Sequence, residues 1–193
     1  MTTLPVFQKK IVLGSKSPRR SQLLREAGFS FEIRTADTDE SYGPDIATEQ
    51  VAVYLAEKKA ADLLHTLEED EILITADSVV ILDGKILGKP VNQEEAFQFI
   101  RALAGKNHLV ITGVCISTLK TKKLFQDKTE VIFREMTDEE ILYYIHHYNP
   151  LDKAGAYGIQ DWIGLCKVHT IHGSYANVMG LPVHRIYEAL ADL

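Results

Sequence analysis

The stretch Ile11-Val12-Leu13-Gly14-Ser15-Lys16-Ser17-Pro18-Arg19-Arg20 decides how the chain begins to fold. Three apolar residues suited to a strand run into a Gly-Ser turn, and a helical pattern follows from Ser21 to Ala27. Gly14 and Ser15 are small enough to let backbone N–H groups approach a ligand. Ser17 suits an N-cap, and Pro18 suits the first helical position because it lacks the N–H that would go unpaired there. Arg19 and Arg20 then fall in the first turn. That placement is electrostatically adverse, since a helix N-terminus carries partial positive charge and prefers carboxylates. Lys16 and the two arginines at that terminus make sense when a polyanion such as a triphosphate neutralises them. A strand-turn-helix with solvated arginines satisfies the same spacing, so this stretch alone leaves both readings open.

Working outward, the chain has 193 residues and 46% hydrophobic content, which bounds it to one well-buried domain, residues 1–193, with room for two lobes. Acidic residues outnumber basic ones, 27 to 21, for a net charge of −6. That balance argues against a general nucleic-acid or anionic-membrane binder and makes the basic cluster a local pocket. Cys115 and Cys166 have no Cys-x-x-Cys spacing, so neither a zinc site nor a disulfide framework is indicated, and buried free thiols are expected. Neither a signal-peptide core nor an apolar run of about 18 residues occurs, which predicts a soluble, cytoplasmic protein.

Past the first helix, Gly28 is placed to stop it and Phe29 to Thr35 alternates as a second strand. Thr35 to Ala47 holds Asp37, Asp39, Glu40 and Asp45 around Gly43-Pro44 and reads as a surface loop. Thr48 is a fair N-cap for a helix to about Leu67, with Lys58 and Lys59 near the edge of its apolar stripe. Ile72 to Ala76 reads as a strand that ends at Asp77-Ser78 before Val79 to Leu82 continues it. Asp83-Gly84 then predicts a hairpin to Lys85-Leu87, followed by Gly88-Lys89-Pro90. Asn92 and Glu95 resemble a capping box for a helix to about Ala104, closed by Gly105.

Strands are expected over His108–Thr118 and Lys123–Arg134. A second capping box, Thr137 and Glu140, opens a helix to about Tyr148 that Asn149-Pro150 ends. Asp152 to Gln160 is too glycine-rich and irregular for either regular element and reads as a functional loop. Leu165 to Ile171 is a strand candidate, and Pro182 opens a final helix. Crossovers mixed with hairpins predict an α/β fold with a mixed twisted sheet flanked by helices, and two lobes around a cleft.

Asp77, between two apolar runs, is costly to desolvate unless it is hydrogen-bonded, metal-bound or exposed in a cleft, and it is the best catalytic candidate. A cap or turn role is the competing reading. Three segments suited to phosphate, around Arg19, Lys89 and Lys153, each lie at an expected element end, where clefts are built. His146-His147, His169 and His172 lack the spacing of a zinc triad and read as surface or packing residues.

Gly14-Ser15-x-Ser17-Pro18-Arg19-Arg20, Asp77, Gly88-Lys89-Pro90, the run Asp152 to Gln160, and Gly173-Ser174-Tyr175-x-Asn177-Val178-x-Gly180-Leu181-Pro182 occur in that order. Together they resemble the Maf family of nucleoside triphosphate pyrophosphatases over about residues 10 to 190. The resemblance implies an ITP-pyrophosphatase-like fold. It implies hydrolysis of the α–β phosphoanhydride to a nucleoside monophosphate and pyrophosphate, with a divalent cation, Mg²⁺ or Mn²⁺. It places the proton acceptor on Asp77, the phosphate loop on Ser15, Arg19 and Arg20, and further phosphate contacts on Lys58, Lys89 and Lys153.

The resemblance also implies that base preference falls on Arg19, Ser78 and Gln160, where the family's subclasses differ, and the intact Asp152 to Gln160 run is similar to the dTTP/UTP subclass. That subclass usually has Thr where this chain has Ser78, which keeps the hydroxyl and loses a methyl. The Gln160 amide has the donor and acceptor needed to read the edge of a pyrimidine, with loop bracing as the alternative. Glu40 is a second carboxylate that suits a hard cation alongside Asp77, with a solvated loop position as its alternative. Tyr175 and Asn177 read equally well as structural and stay outside the catalytic set. The resemblance admits a homodimer. The competing function is a non-catalytic nucleotide-sensing regulator of cell division, which needs the basic residues but not the Asp77 carboxylate.

Overall fold

The computed structural model describes residues Leu4–Leu193. β1 (Lys10–Leu13) leads into α1 (Pro18–Glu26) and β2 (Phe31–Ile33). A 3-10 turn, Thr48–Gln50, precedes α2 (Val51–Leu63), then come β3 (Glu71–Leu82), β4 (Lys85–Leu87) and α3 (Gln93–Leu103). β5 (Asn107–Ser117), β6 (Lys122–Phe133) and α4 (Asp138–Tyr148) follow. The chain closes with α5 (Trp162–Lys167), β7 (Val168–His172), α6 (Tyr175–Met179) and α7 (Val183–Ala191). The seven strands form one mixed sheet in the order β2-β1-β3-β5-β6-β7, with β4 paired to β3. β1 runs parallel to β2 and β3, with Ile11 opposite Phe31 and Ile72, while β4 on β3 and β7 on β6 are antiparallel.

The described residues divide into two compact units, one of residues 4–77, 112–127 and 180–193, the other of residues 78–111 and 128–179. In the first, the strands are apolar on both faces because helices cover both. Ile11, Leu13, Ile72, Ile74, Val114 and Ile116 pack with Leu24 of α1 and Ile186 and Leu190 of α7. The residues between them, Val12, Leu73 and Cys115, pack with Ala56, Ala60 and Leu63 of α2. Period-two alternation thus sends neighbours along each strand to opposite layers. In the second unit, Val80, Leu82 and Val110 pack with Ile100 and Leu103 of α3, Ile141, Tyr144 and Ile145 of α4, and Ile163 of α5.

The hairpin turns at Asp83-Gly84 with φ of 49° and 76°, the left-handed pair its sequence favours. Asn92 caps α3, its side chain accepting from Glu95 N at 2.9 Å, though the Glu95 carboxylate reaches back to Val91 N. Thr137 and Glu140 make the full capping box of α4. Three expectations are corrected. β3 runs unbroken through Asp77 and Ser78, so Asp77 is a mid-strand residue. Thr48 lies in the 3-10 turn, and α2 begins at Val51 without a side-chain cap. Leu165 belongs to α5 rather than to a strand, which starts only at Val168. Both cysteines are free, but only Cys115 is buried. Among the described residues, no helix is long and apolar enough to cross a membrane.

Candidate active site

The same alternation that buries Leu73 against α2 carries on to Thr75 and Asp77, which share its face of β3. Thr75 Oγ1 donates to Ala56 O at 2.6 Å, and Asp77 meets the next turn of α2, where Lys59 Nζ lies 2.5 Å from its Oδ1. Lys59 Nζ is also 2.7 Å from Glu40 Oε1. One ammonium therefore gathers two carboxylates from segments far apart in sequence. Side-chain exposures of 16% for Lys59 and 13% for Asp77 set this pair apart from an exposed surface ion pair, and Glu40 remains as a second partner for the ammonium.

Lys59 is the lysine paired with Asp77 that sequence reasoning missed. Ala52, Ala56, Lys59 and Leu63 share one helical face by their spacing, and that phase was the available signal. Lys58, one position and about 100° away, instead sits 3.1 Å from Asp39 Oδ2 and 3.2 Å from Ser41 O. Hydrogen bonds from the Ser41 hydroxyl and amide, then the Lys58 ammonium, hold Asp39 down at about 2.

The turn after β1 lies against the same strand. A side chain at Gly14 would place its Cβ 2.6 Å from Thr75 Cγ2 and 2.8 Å from Leu63 Cδ1, so only glycine permits the approach. Ser17 occupies the N-cap position of α1 without a side-chain cap bond, and its amide donates to Ser15 Oγ at 3.2 Å. Arg20 Nη1 donates to Ala76 O at 2.7 Å and to Ser15 Oγ at 3.3 Å, and its Nε donates to Gly180 O at 2.8 Å. Burial lowers the Arg20 pKa, Asp77 works against that shift, Arg19 adds to it, and Glu40 opposes it. Ser15, Arg19, Arg20, Glu40 and Asp77 are thus one electrostatic neighbourhood within the first unit, with Lys59 joining Glu40 to Asp77.

The second unit carries Ser78, Lys89, Lys153 and Gln160. Ser78 is half-buried on β3 and Lys89 is exposed after β4. Gly155 N donates to Gly88 O at 3.0 Å, which lays the Asp152 to Gln160 loop beside the backbone next to Lys89. Lys153 Nζ is 2.8 Å from Asp152 Oδ1 and 4.0 Å from Asp161 Oδ2. Gln160 Oε1 is buried and has no hydrogen-bond partner among the described residues. Tyr157, within the loop, bonds His108 Nε2 of β5 through its hydroxyl at 2.7 Å. Burial pushes His108 down to about 4. Asn177 is buried and donates to Val110 O and Thr129 Oγ1, which ties α6 to the sheet.

Among the described residues, no three His, Cys, Asp or Glu side chains converge. The two carboxylates on Lys59 are nevertheless hard oxygen donors at one place. That fits Mg²⁺, which takes one or two carboxylates together with substrate phosphates rather than a full protein cage.

This fold is that of the Ham1 proteins. The Staphylococcus aureus Ham1 protein matches with a TM-score of 0.53 at 14% identity, covering 95% of this chain and 99% of its own. A HAM1 protein from Coxiella burnetii matches at 0.52 and 12%, covering 96% and 100%. Residues 10–193 match the family model described as Maf-like protein, and the chain belongs to the Maf family. Relatives named dTTP/UTP pyrophosphatase include those of Phocaeicola vulgatus, 49% identical over 95% of this chain and 96% of its own, and Flavobacterium johnsoniae, 47% identical over 95% of each. That of Bacteroides fragilis is 46% identical over 95% of this chain and 96% of its own.

Proposed function

We propose that this chain hydrolyses the α–β phosphoanhydride of dTTP and UTP to the nucleoside monophosphate and pyrophosphate. The observation that carries the reading is the Lys59 ammonium held between Asp77 and Glu40 beside Arg19 and Arg20, a carboxylate and its countercharges where a triphosphate would be gripped. The names of relatives 46% to 49% identical over nearly the whole chain support the same substrates.

The water oxygen forms a bond to a phosphorus of the α–β bridge, its proton passes to the Asp77 carboxylate, and the bridging P–O bond breaks with its electron pair leaving on the departing phosphate. Lys59 orients Asp77 through a charge-assisted hydrogen bond, and Arg19, Arg20 and Ser15 hold the phosphates. Lys89 and Lys153 supply further phosphate charge. Lys58 is a weaker phosphate contact, reached by exchange from Asp39. Gln160 Oε1, buried and unpartnered, suits the N3–H donor that thymine and uracil present, while Arg19 and Ser78 complete the base-preference set.

A divalent cation held by Asp77 and Glu40 would neutralise charge on the phosphates. The test is a nucleotide panel with Mg²⁺ or Mn²⁺, assayed for both products. Monophosphate and pyrophosphate from dTTP and UTP are expected. Orthophosphate would place cleavage at another bond, and triphosphate binding without turnover would make the chain a nucleotide sensor.

A further inference from the structure

The turn Gly158–Asp161, which carries Gln160, is held by one buried phenol. Tyr144 on α4 is fully buried, its hydroxyl donating to Asp161 Oδ2 at 2.7 Å and accepting from Gly158 N at 3.0 Å. Asp161 N donates to Gly158 O at 3.0 Å, so the phenol bonds both ends of a closed turn. Asp161 stands at the N-cap of α5, yet its side chain makes no cap bond there. Its carboxylate faces Tyr144, with Lys153 Nζ 4.0 Å from the same oxygen. The core around Ile141 and Ile145 is apolar and needs only the ring, whereas a hydroxyl there is costly without partners. The hydroxyl therefore serves the turn. The residue it brackets is Gln160, whose buried Oε1 awaits a donor.

We propose that Tyr144 is a positioning residue for base recognition: its hydroxyl fixes the Gly158–Asp161 turn and so aims the Gln160 amide, and through Asp161 it steadies Lys153. This rests on the pyrimidine nucleotide reading above. The geometry separates two consequences. Loss of the hydroxyl frees the turn and blurs the choice of base. Loss of the Asp161 charge alone weakens the hold on phosphate for every base alike.

The experiment is calorimetric binding of α,β-methylene analogues of dTTP and dGTP to the full chain and to Tyr144→Phe, Asp161→Asn and Asp161→Ala, with folding checked by circular dichroism. Tyr144→Phe is expected to weaken the thymidine analogue about tenfold, the worth of a hydrogen bond to a charged group, and to leave the guanosine analogue within about twofold. Asp161→Asn keeps an acceptor for the phenol and is expected to retain the wild-type preference. If Tyr144→Phe does not fold, Asp161→Ala breaks the same bond from the turn and must show the same loss of preference. An unchanged preference, or an equal loss for both bases, overturns the proposal and leaves Tyr144 a structural residue. A wild-type chain that binds neither analogue overturns the nucleotide reading, and this role with it.

Discussion

Asp77 and Gln160 reach their positions by different means. Asp77 is placed by regular elements: two-residue alternation along β3 and helical phase along α2 bring it to Lys59 within the first unit. Gln160 sits in an irregular turn whose place is set by hydroxyl groups, Tyr144 on Asp161 and Gly158, and Tyr157 on His108. Regular elements hold a charge where a reaction needs it to stay. An irregular turn held by a few directional bonds can be re-aimed by changing one of them, which suits the choice of substrate more than the chemistry.

The comparison breaks if changes at Asp77 or Lys59 alter base preference, or changes at the turn alter turnover. The largest expected effect is that of Asp77→Asn, about a 10³-fold loss of pyrophosphate release with the melting temperature nearly kept; retention of most activity would remove the carboxylate from the reaction. The second concerns the turn's anchor. His108 titrates at about 4 when folded against an ordinary 6.5, because burial disfavours its charged form. The unfolded chain therefore takes up the proton first as pH falls. Its contribution is whole above about pH 6.5 and lost toward pH 4, on the order of 3 kcal/mol. Denaturant melts of the wild type should weaken over that window, and those of His108→Gln should weaken less.

The third prediction sets neighbours against each other. Lys59→Ala removes a charge-assisted bond worth about 2 kcal/mol and should lower kcat/KM about 30-fold, while Lys58→Ala should cost less than about threefold. Equal losses would deny that helical phase chooses the functional lysine. The smallest is Thr137→Ala, which removes the cap of α4 and should cost about 1 kcal/mol, about 3 °C in Tm, with base preference unchanged.

Most of the fold was legible where local chemistry is self-contained: the Asp83-Gly84 turn, the side-chain caps at Asn92 and Thr137, and the helix start at Pro18 all stand where their residues predict, though Ser17 makes no cap bond. Asp77 reads as a strand end because a carboxylate inside apolar sequence is costly, and the partner that makes it tolerable, Lys59, is 18 positions away. Leu165 reads as strand because it is apolar, but it is 81% exposed on the short helix α5, where apolar periodicity reports no core. Of the candidate site, the family motifs named the candidate residues and left their grouping open. Lys59 was hidden behind Lys58 for want of the helix phase. Tyr144 carries no motif, since its bonds to the turn depend on packing of α4 that no local pattern encodes.

Arg20 also bears on the order in which the protein is made. Its guanidinium joins the loop after β1 to Ala76 and to Gly180, near the end of the chain. The unit that contains it takes its last piece from residues 180–193, whereas the other is complete by residue 179. During synthesis the turn that carries Gln160 therefore has its partners Tyr144 and Asp161 before Arg20 can meet Gly180.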